Sequence, residues 1–233
     1  MSFFKKMAVA SSLASFFFKA RNHKGNLVDF KAVSDDLLEA LDVQVHLRGK
    51  LPAKPCLIVA NHLSYLDIPL LCRLAPMRFV TSVELAAEKL TGHIARGGGS
   101  IFVERRNYST LLRDIDRMTE CLKNGENVCF FPEATTSDGT MLPWRSSLFE
   151  AAVRAQVAVV PIAIKYVEIN GQHLKQSNKD LLYYYKGMTF GSHFSTLLKQ
   201  KNIKVRVTIC RPIQGESRKK LALLARHLVA GLL

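Results

Sequence analysis

Acidic residues are scarce in this 233-residue chain: 19 Asp and Glu stand against 33 Lys and Arg, for a net charge of +14. The deficit leaves a surface that seeks anions, whether nucleic acid, anionic lipid or an acidic substrate. Long apolar runs are also missing. No segment holds the ~18 uninterrupted apolar residues that a membrane-spanning helix needs. Cysteine is sparse and unpatterned: Cys56, Cys72, Cys121, Cys129 and Cys210 form no CxxC. That argues against a disulfide framework or a zinc site and fits free thiols in a reducing compartment. Neither a P-loop nor a dinucleotide fingerprint occurs, even around Gly97-Gly98-Gly99. No recognised nucleic-acid motif accompanies the positive charge, and there is no internal repeat or low-complexity linker.

What is present is an ordinary globular composition, 48% hydrophobic and 22% charged, in one large domain or one domain with an appendage. The N-terminus supplies the appendage. Met7 to Phe18 carries no charge, and Lys5, Lys6, Lys19 and Arg21 bracket it. Phenylalanines beside lysines suit a helix lying in a bilayer interface; the plainer reading is a helix packed on the domain. We assign residues 1–30 to a membrane-associating helical segment and 31–233 to the main domain.

Apolar strands alternate with helices along that domain. Ser34 is expected to cap a short helix. Val43, Val45 and Leu47 alternate with polar residues, as Ile203, Val205, Val207 and Ile209 do. These two half-buried strands belong at an edge or in antiparallel pairing. Cys56–Ala60, 78–81, 101–103, 128–131 and 157–164 read as further strands. Pro161 interrupts the last of them and marks an edge or a bulge. Helices are expected near 67–73, 84–90, 108–123, 147–154 and 216–233. The 108–123 helix shows Leu111, Leu112, Ile115, Met118 and Leu122 on one face, and the last helix Leu221, Leu224, Leu228 and Leu232. The fold class is α/β: a mixed, mostly parallel central sheet flanked by helices, with an N-terminal amphipathic helical appendage.

Four stretches carry chemistry. In Asn61-His62-Leu63-Ser64-Tyr65-Leu66-Asp67, a histidine and a carboxylate meet where a strand gives way to a helix. Imidazole is the usual base for a hydroxyl, and a carboxylate fixes its tautomer and stabilises the imidazolium. Five residues on one continuous helix would point the two apart, so His62 must lie in the loop and Asp67 in the first helical turn. The spacing alone is common by chance, and Asn61 or Ser64 capping a helix beside a structural histidine explains it equally well. In the second stretch, Gly99 to Arg106, a strand ends on Arg105 and Arg106, suited to a phosphate or simply to solvent. The third, Phe131-Pro132-Glu133-Ala134-Thr135-Thr136-Ser137, sets a carboxylate and hydroxyls past a buried strand, where open α/β sheets bind ligands. The fourth, Val160 to Ile164, alone reads as core.

In this order the four stretches resemble the motif series of the glycerolipid acyltransferases, the group that includes the lysophosphatidate acyltransferases: NHxSxxD, GxIFVxR, FPEGTRS and VPIAI. The resemblance covers about residues 42–165. It implies transfer of a fatty acyl group from acyl-CoA or acyl-carrier protein to the hydroxyl of a lysophospholipid. His62 is then the general base and Asp67 its orienting partner. Arg105 and Arg106, with Glu133, Thr135 and Thr136, hold the acceptor. Pro161 and its strand line the thioester end, near donors for the oxyanion. No metal and no cofactor beyond the acyl donor is implied. The partners are the lysolipid, the donor and an anionic membrane surface rather than nucleic acid, with a peripheral or monotopic place on the cytoplasmic face. Two departures stand out: Ala134 where the family usually has Gly, and Thr136 where phosphate-using members usually have Arg. The latter opens a non-phosphate acceptor such as lyso-ornithine lipid. Outside the resemblance, a hydrolase using water, and a non-enzymatic basic module, stay open.

Overall fold

A computed structural model describes residues 3–22, 27–86, 91–104 and 108–233. Its centre is an eight-stranded sheet. The strands are β1 (Val43–Arg48), β2 (Cys56–Ala60), β3 (Met77–Ser82), β4 (Ile101–Val103), β5 (Asn127–Phe130), β6 (Ala158–Ile169), β7 (Gln172–His173) and β8 (Ile203–Ile209). The spatial order is β1-β8-β6-β2-β5-β3-β4, with β7 hairpinned onto β6. From β6 to β4 all neighbours are parallel. At the other end β8 runs antiparallel to β6, and β1 pairs parallel with β8. The two alternating strands thus form a reversed pair at one margin, with β1 outermost.

Helices cover both faces. One layer holds α1 (Phe3–Asn22), α2 (Lys31–Ala40), α3 (Asp67–Cys72), α4 (Val83–Ala86) and α5 (Thr91–Gly97). The other begins with α6 (Tyr108–Lys123) and α7 (Glu150–Ala155); α8 (Phe190–Leu197) returns to the first layer and α9 (Arg218–Ala230) to the second. This is why β2 reads as an unbroken apolar run. Cys56, Ile58 and Ala60 enter the core under α1–α3, while Leu57 and Val59 enter the core under α6, α7 and α9.

Several local expectations are corrected. α2 begins at Lys31, ahead of Ser34, and the Asp29 carboxylate accepts the Lys31 N–H at 2.8 Å. On α6, Ile115, Met118 and Leu122 are buried but Leu112 is exposed. The buried face of α9 is Leu221, Ala222, Ala225 and Val229; Leu224 and Leu232 lie outside it. Pro161 is not at an edge: β6 lies between β8 and β2. It does mark a bulge. Ile162 faces Ile209, yet Val159 faces Ile213, so the partner chain carries one extra residue across Pro161. The ladder to β8 ends there, and no donor is demanded of the proline.

α1 packs on the domain through Val9, Phe16 and Ala20. Phe16 stacks on Phe30 at 5.1 Å, and Lys5 Nζ donates to the Gln200 carbonyl at 2.5 Å. Gly97 lets α5 approach this helix closely, since a Cβ there would come within 2.2 Å of the Ala20 carbonyl oxygen. Met7 and Phe18 remain exposed. No described helix is long and apolar enough to cross a membrane.

Candidate active site

The site forms at the carboxyl ends of β2 and β5, neighbouring parallel strands in the middle of the sheet. In open α/β sheets this is where ligands bind. Two backbone-directed bonds extend the pairing beyond the strand ends. The His62 N–H donates to Glu133 Oε1 at 3.2 Å, and the Ser137 N–H donates to the His62 carbonyl at 3.0 Å. Asn61 ties the same loop to β6: its Nδ2 donates to the Ile164 carbonyl at 2.9 Å and its Oδ1 accepts the Ile164 N–H at 2.8 Å. Asn61 is therefore a cross-strand clamp and not a helix cap.

His62 lies in the loop and Asp67 opens α3, as the spacing requires. His62 Nδ1 is 2.8 Å from Asp67 Oδ2. That oxygen also accepts the N–H groups of Leu63 at 2.6 Å and Ser64 at 2.9 Å. Asp67 Oδ1 accepts the Tyr166 hydroxyl at 2.8 Å. Asp67 is wholly buried, whereas the His62 side chain keeps 17% exposure. The carboxylate thus has a partner for each oxygen, as a buried charge needs. The imidazole is held at Nδ1, which leaves Nε2 for a substrate. Phe131 stacks flat on the imidazole, with centroids 3.7 Å apart and planes at 7°.

Glu133 is buried and spends both oxygens on backbone: Oε1 on His62, and Oε2 on the Leu142 N–H at 3.0 Å. Burial raises its carboxyl above the usual range, against the pull of those two N–H groups. Its position is that of a brace between two loops. Ala134 sits at φ +64°, in the left-handed region that favours glycine. Thr135 is exposed and Thr136 half-buried. Arg105 and Arg106 lie outside the described residues. Pro161 is buried inside the sheet and lines neither of the two cavities next to Phe131.

Those cavities flank the Phe131 ring. An apolar one of about 230 Å³ is walled by Leu13 and Phe16 of α1, Leu37 of α2, Met77 and Phe79 of β3, and Phe131. A smaller one of about 60 Å³ is lined by Phe131, Pro132, Ala134, Arg145 and Ser147. The Arg145 backbone is anchored there by its main-chain N–H, which donates to the Pro132 carbonyl at 3.0 Å, and its side chain is exposed. Neither Thr135 nor Thr136 lines it.

Tyr166, Phe131 and Arg145 were not singled out from sequence. Tyr166 was hidden because the strand was ended at Ile164, whereas β6 continues to Ile169. Carrying the two-residue period on from Ile162 and Ile164 puts Tyr166 on their face of the sheet. Phe131 opens the third stretch but was given no role of its own there, and for Arg145 the sequence offers no comparable signal.

Comparison with known proteins follows the same lines. The Acyltransferase family model matches residues 42–165. The chain is 36% identical over 199 residues to the lyso-ornithine lipid O-acyltransferase of Pseudomonas aeruginosa, covering 83% of this chain and 73% of that protein. It is 29% identical over 195 residues to the 1-acyl-sn-glycerol-3-phosphate acyltransferase of Neisseria meningitidis, covering 80% and 72% respectively. Its fold is similar to that of the crystallised 1-acyl-sn-glycerophosphate acyltransferase PlsC of Thermotoga maritima, with a TM-score of 0.58 at 21% identity, covering 98% of this chain and 97% of that one. With a family match over more than half its length and a 36% identical relative spanned over most of its own, this chain belongs to the acyltransferase family and is an acyltransferase enzyme.

Proposed function

We propose that this enzyme moves a fatty acyl group from an acyl thioester to the free hydroxyl of a lysolipid. The observation that carries the reading is the clamped imidazole: His62 is fixed at Nδ1 by Asp67 and on one face by Phe131, whose ring walls an apolar cavity. His62 Nε2 takes the proton of the lysolipid hydroxyl, and the oxygen attacks the thioester carbonyl carbon. The new C–O bond forms, the C–S bond breaks, and the imidazolium returns its proton to the departing sulfur. The apolar cavity takes an acyl chain. The donor is acyl-CoA or acyl-carrier protein, whose acidic groups suit the +14 charge.

Thr136 in place of an arginine favours an acceptor without phosphate, of the lyso-ornithine type, over a 1-acyl-glycerol-3-phosphate. The 36% identity to a lyso-ornithine lipid acyltransferase supports the same choice. The acceptor's anionic group lies against Arg145, the cation of the small cavity. The enzyme works at the cytoplasmic face of a membrane. There the exposed Met7 and Phe18 of α1 meet the interface, and the basic surface meets anionic lipid.

The test offers purified protein a panel of lysolipids, with and without phosphate, together with acyl-CoA and acyl-carrier protein. Acyl transfer to a lysolipid is expected, and His62→Ala is expected to fold but not turn over. A fully active His62→Ala would sink the reading. Fatty acid released with no lysolipid present would point to a hydrolase instead.

A further inference from the structure

The two oxygens of Asp67 are treated differently. Oδ2 takes the imidazole and two backbone N–H groups, all from its own loop. Oδ1 takes the Tyr166 hydroxyl from β6, 99 residues away in the chain. Tyr166 is 3% exposed, so solvent reaches neither end of this bond. Tyr183 meets its ring edge-on at 6.0 Å. Without the hydroxyl, Oδ1 would be a buried acceptor with no donor, and the hold on the carboxylate would fall to the bonds at Oδ2 alone. The same hydroxyl draws charge toward Oδ1, and so governs how much negative charge Oδ2 presents to the imidazole.

We propose that Tyr166 is a positioning residue of the acyl transfer: its hydroxyl completes the hold on the Asp67 carboxylate by satisfying Oδ1 and divides its charge between the two oxygens, so that β6 tunes the imidazole through Asp67 without touching substrate. This rests on His62 being the base. The titratable groups that act on the pair are Glu133 from the loop after β5, Tyr166 from β6 and Tyr183 from the segment after residue 181, and Tyr65 acts on Tyr166. Tyr166 keeps its proton, because burial and the neighbouring carboxylate both oppose its ionisation.

The experiment measures kcat and KM for both substrates against pH in wild type, Tyr166→Phe, Tyr183→Phe, Asp67→Asn and the Tyr166→Phe/Asp67→Asn pair. His62→Ala is assayed alongside. A positioned base contributes ~10²–10⁴ in rate, and losing its orientation forfeits roughly a factor of ten or more of that. So Tyr166→Phe lowers kcat about tenfold or more with KM little changed. With more charge left on Oδ2, the acid limb of kcat/KM moves to higher pH. Tyr183→Phe does not move it. In the Asp67→Asn background Tyr166→Phe costs nothing further, since it acts only through that carboxylate. Global 3-fluorotyrosine, a stronger phenolic donor, moves the limb to lower pH without truncating a side chain, so the test survives a poorly folding Tyr166→Phe.

A wild-type limb and kcat in Tyr166→Phe, or equal further losses in the Asp67→Asn background, overturn the role of Tyr166 alone, provided His62→Ala is dead. Turnover in His62→Ala overturns the base assignment, and this proposal with it.

Discussion

Asn61→Asp replaces one atom of a side chain that is 1% exposed, and the structure fixes what that atom does. Nδ2 of Asn61 donates to the Ile164 carbonyl at 2.9 Å while Oδ1 accepts the Ile164 N–H at 2.8 Å. The substitution keeps the second bond and turns the first into two acceptors facing each other. A lost hydrogen bond costs about 1 kcal/mol, and a buried unsatisfied carbonyl a further ~1–3 kcal/mol. The expected loss near neutral pH is therefore about 3 kcal/mol, a large part of the ~5–15 kcal/mol that holds a domain together. Burial raises the pKa of the introduced carboxyl in the folded state above its value in the unfolded chain. Protons then bind the folded state preferentially, and the neutral acid can donate to Ile164 as the amide did. The deficit is full at high pH and shrinks as pH falls through the raised folded value toward ~3.9, the unfolded one. Asn61→Ala, which cannot titrate, shows a deficit that does not follow this curve. Urea unfolding of the three proteins from about pH 4.5 to 8 reads both quantities. Wild-type stability of Asn61→Asp at pH 7.5, or a gap to wild type that stays constant across the range, would refute the clamp.

Ala134→Gly removes a left-handed alanine that costs ~1–2 kcal/mol, against ~0.4–1 kcal/mol of added chain entropy when unfolded. Thermal unfolding should rise by up to about 3 °C, and a clear fall would show that the turn is not strained at φ +64°. Arg145→Ala should raise KM for an anionic acceptor roughly tenfold, by loss of a charge-assisted contact, with KM for the thioester unchanged; equal rises in both would detach Arg145 from the acceptor. Glu126 accepts from Arg78 at 2.5 and 2.8 Å, and that bond holds its carboxyl below the usual range, against the opposing effect of burial. A depressed folded pKa means stability that is present above the unfolded value of ~4.3 and lost as pH falls through the folded one. Glu126→Gln should cost about 1–3 kcal/mol at pH 7 and little near pH 3 in chemical denaturation, and a pH-independent cost would contradict the pairing.

The layers of the fold were legible because β2 is apolar on both faces while β1 and β8 alternate, and that contrast separates covered strands from marginal ones. The His62–Asp67 pair was legible because both residues fall in one short loop, where spacing carries geometry. Glu133 was visible as a carboxylate past a strand. Its use of both oxygens on backbone was not, since the Leu142 N–H is supplied from nine residues further on. The Tyr166 bond and the Asn61–Ile164 clamp span 99 and 103 residues. Contacts of that kind are set by which strands lie side by side, and the insertion of β6 between β2 and β8 has no local signature. The α9 face was misread because a leucine at helical spacing counts as core in sequence, whereas α9 seats its small residues, Ala222 and Ala225, against the sheet.

Phe131 is one wall shared by two rooms. Its ring lines the large apolar cavity and the small arginine cavity and also stacks on the His62 imidazole. A substitution there cannot reshape one chamber in isolation: shaving the ring enlarges both and strips the His62 imidazole of its stacking face in the same step. If, as proposed, the two chambers hold the acyl chain and the headgroup, the two preferences are coupled at this position. One chamber can be reshaped without the other only at the far walls, Leu13, Phe16 and Leu37 for the first and Arg145 and Ser147 for the second.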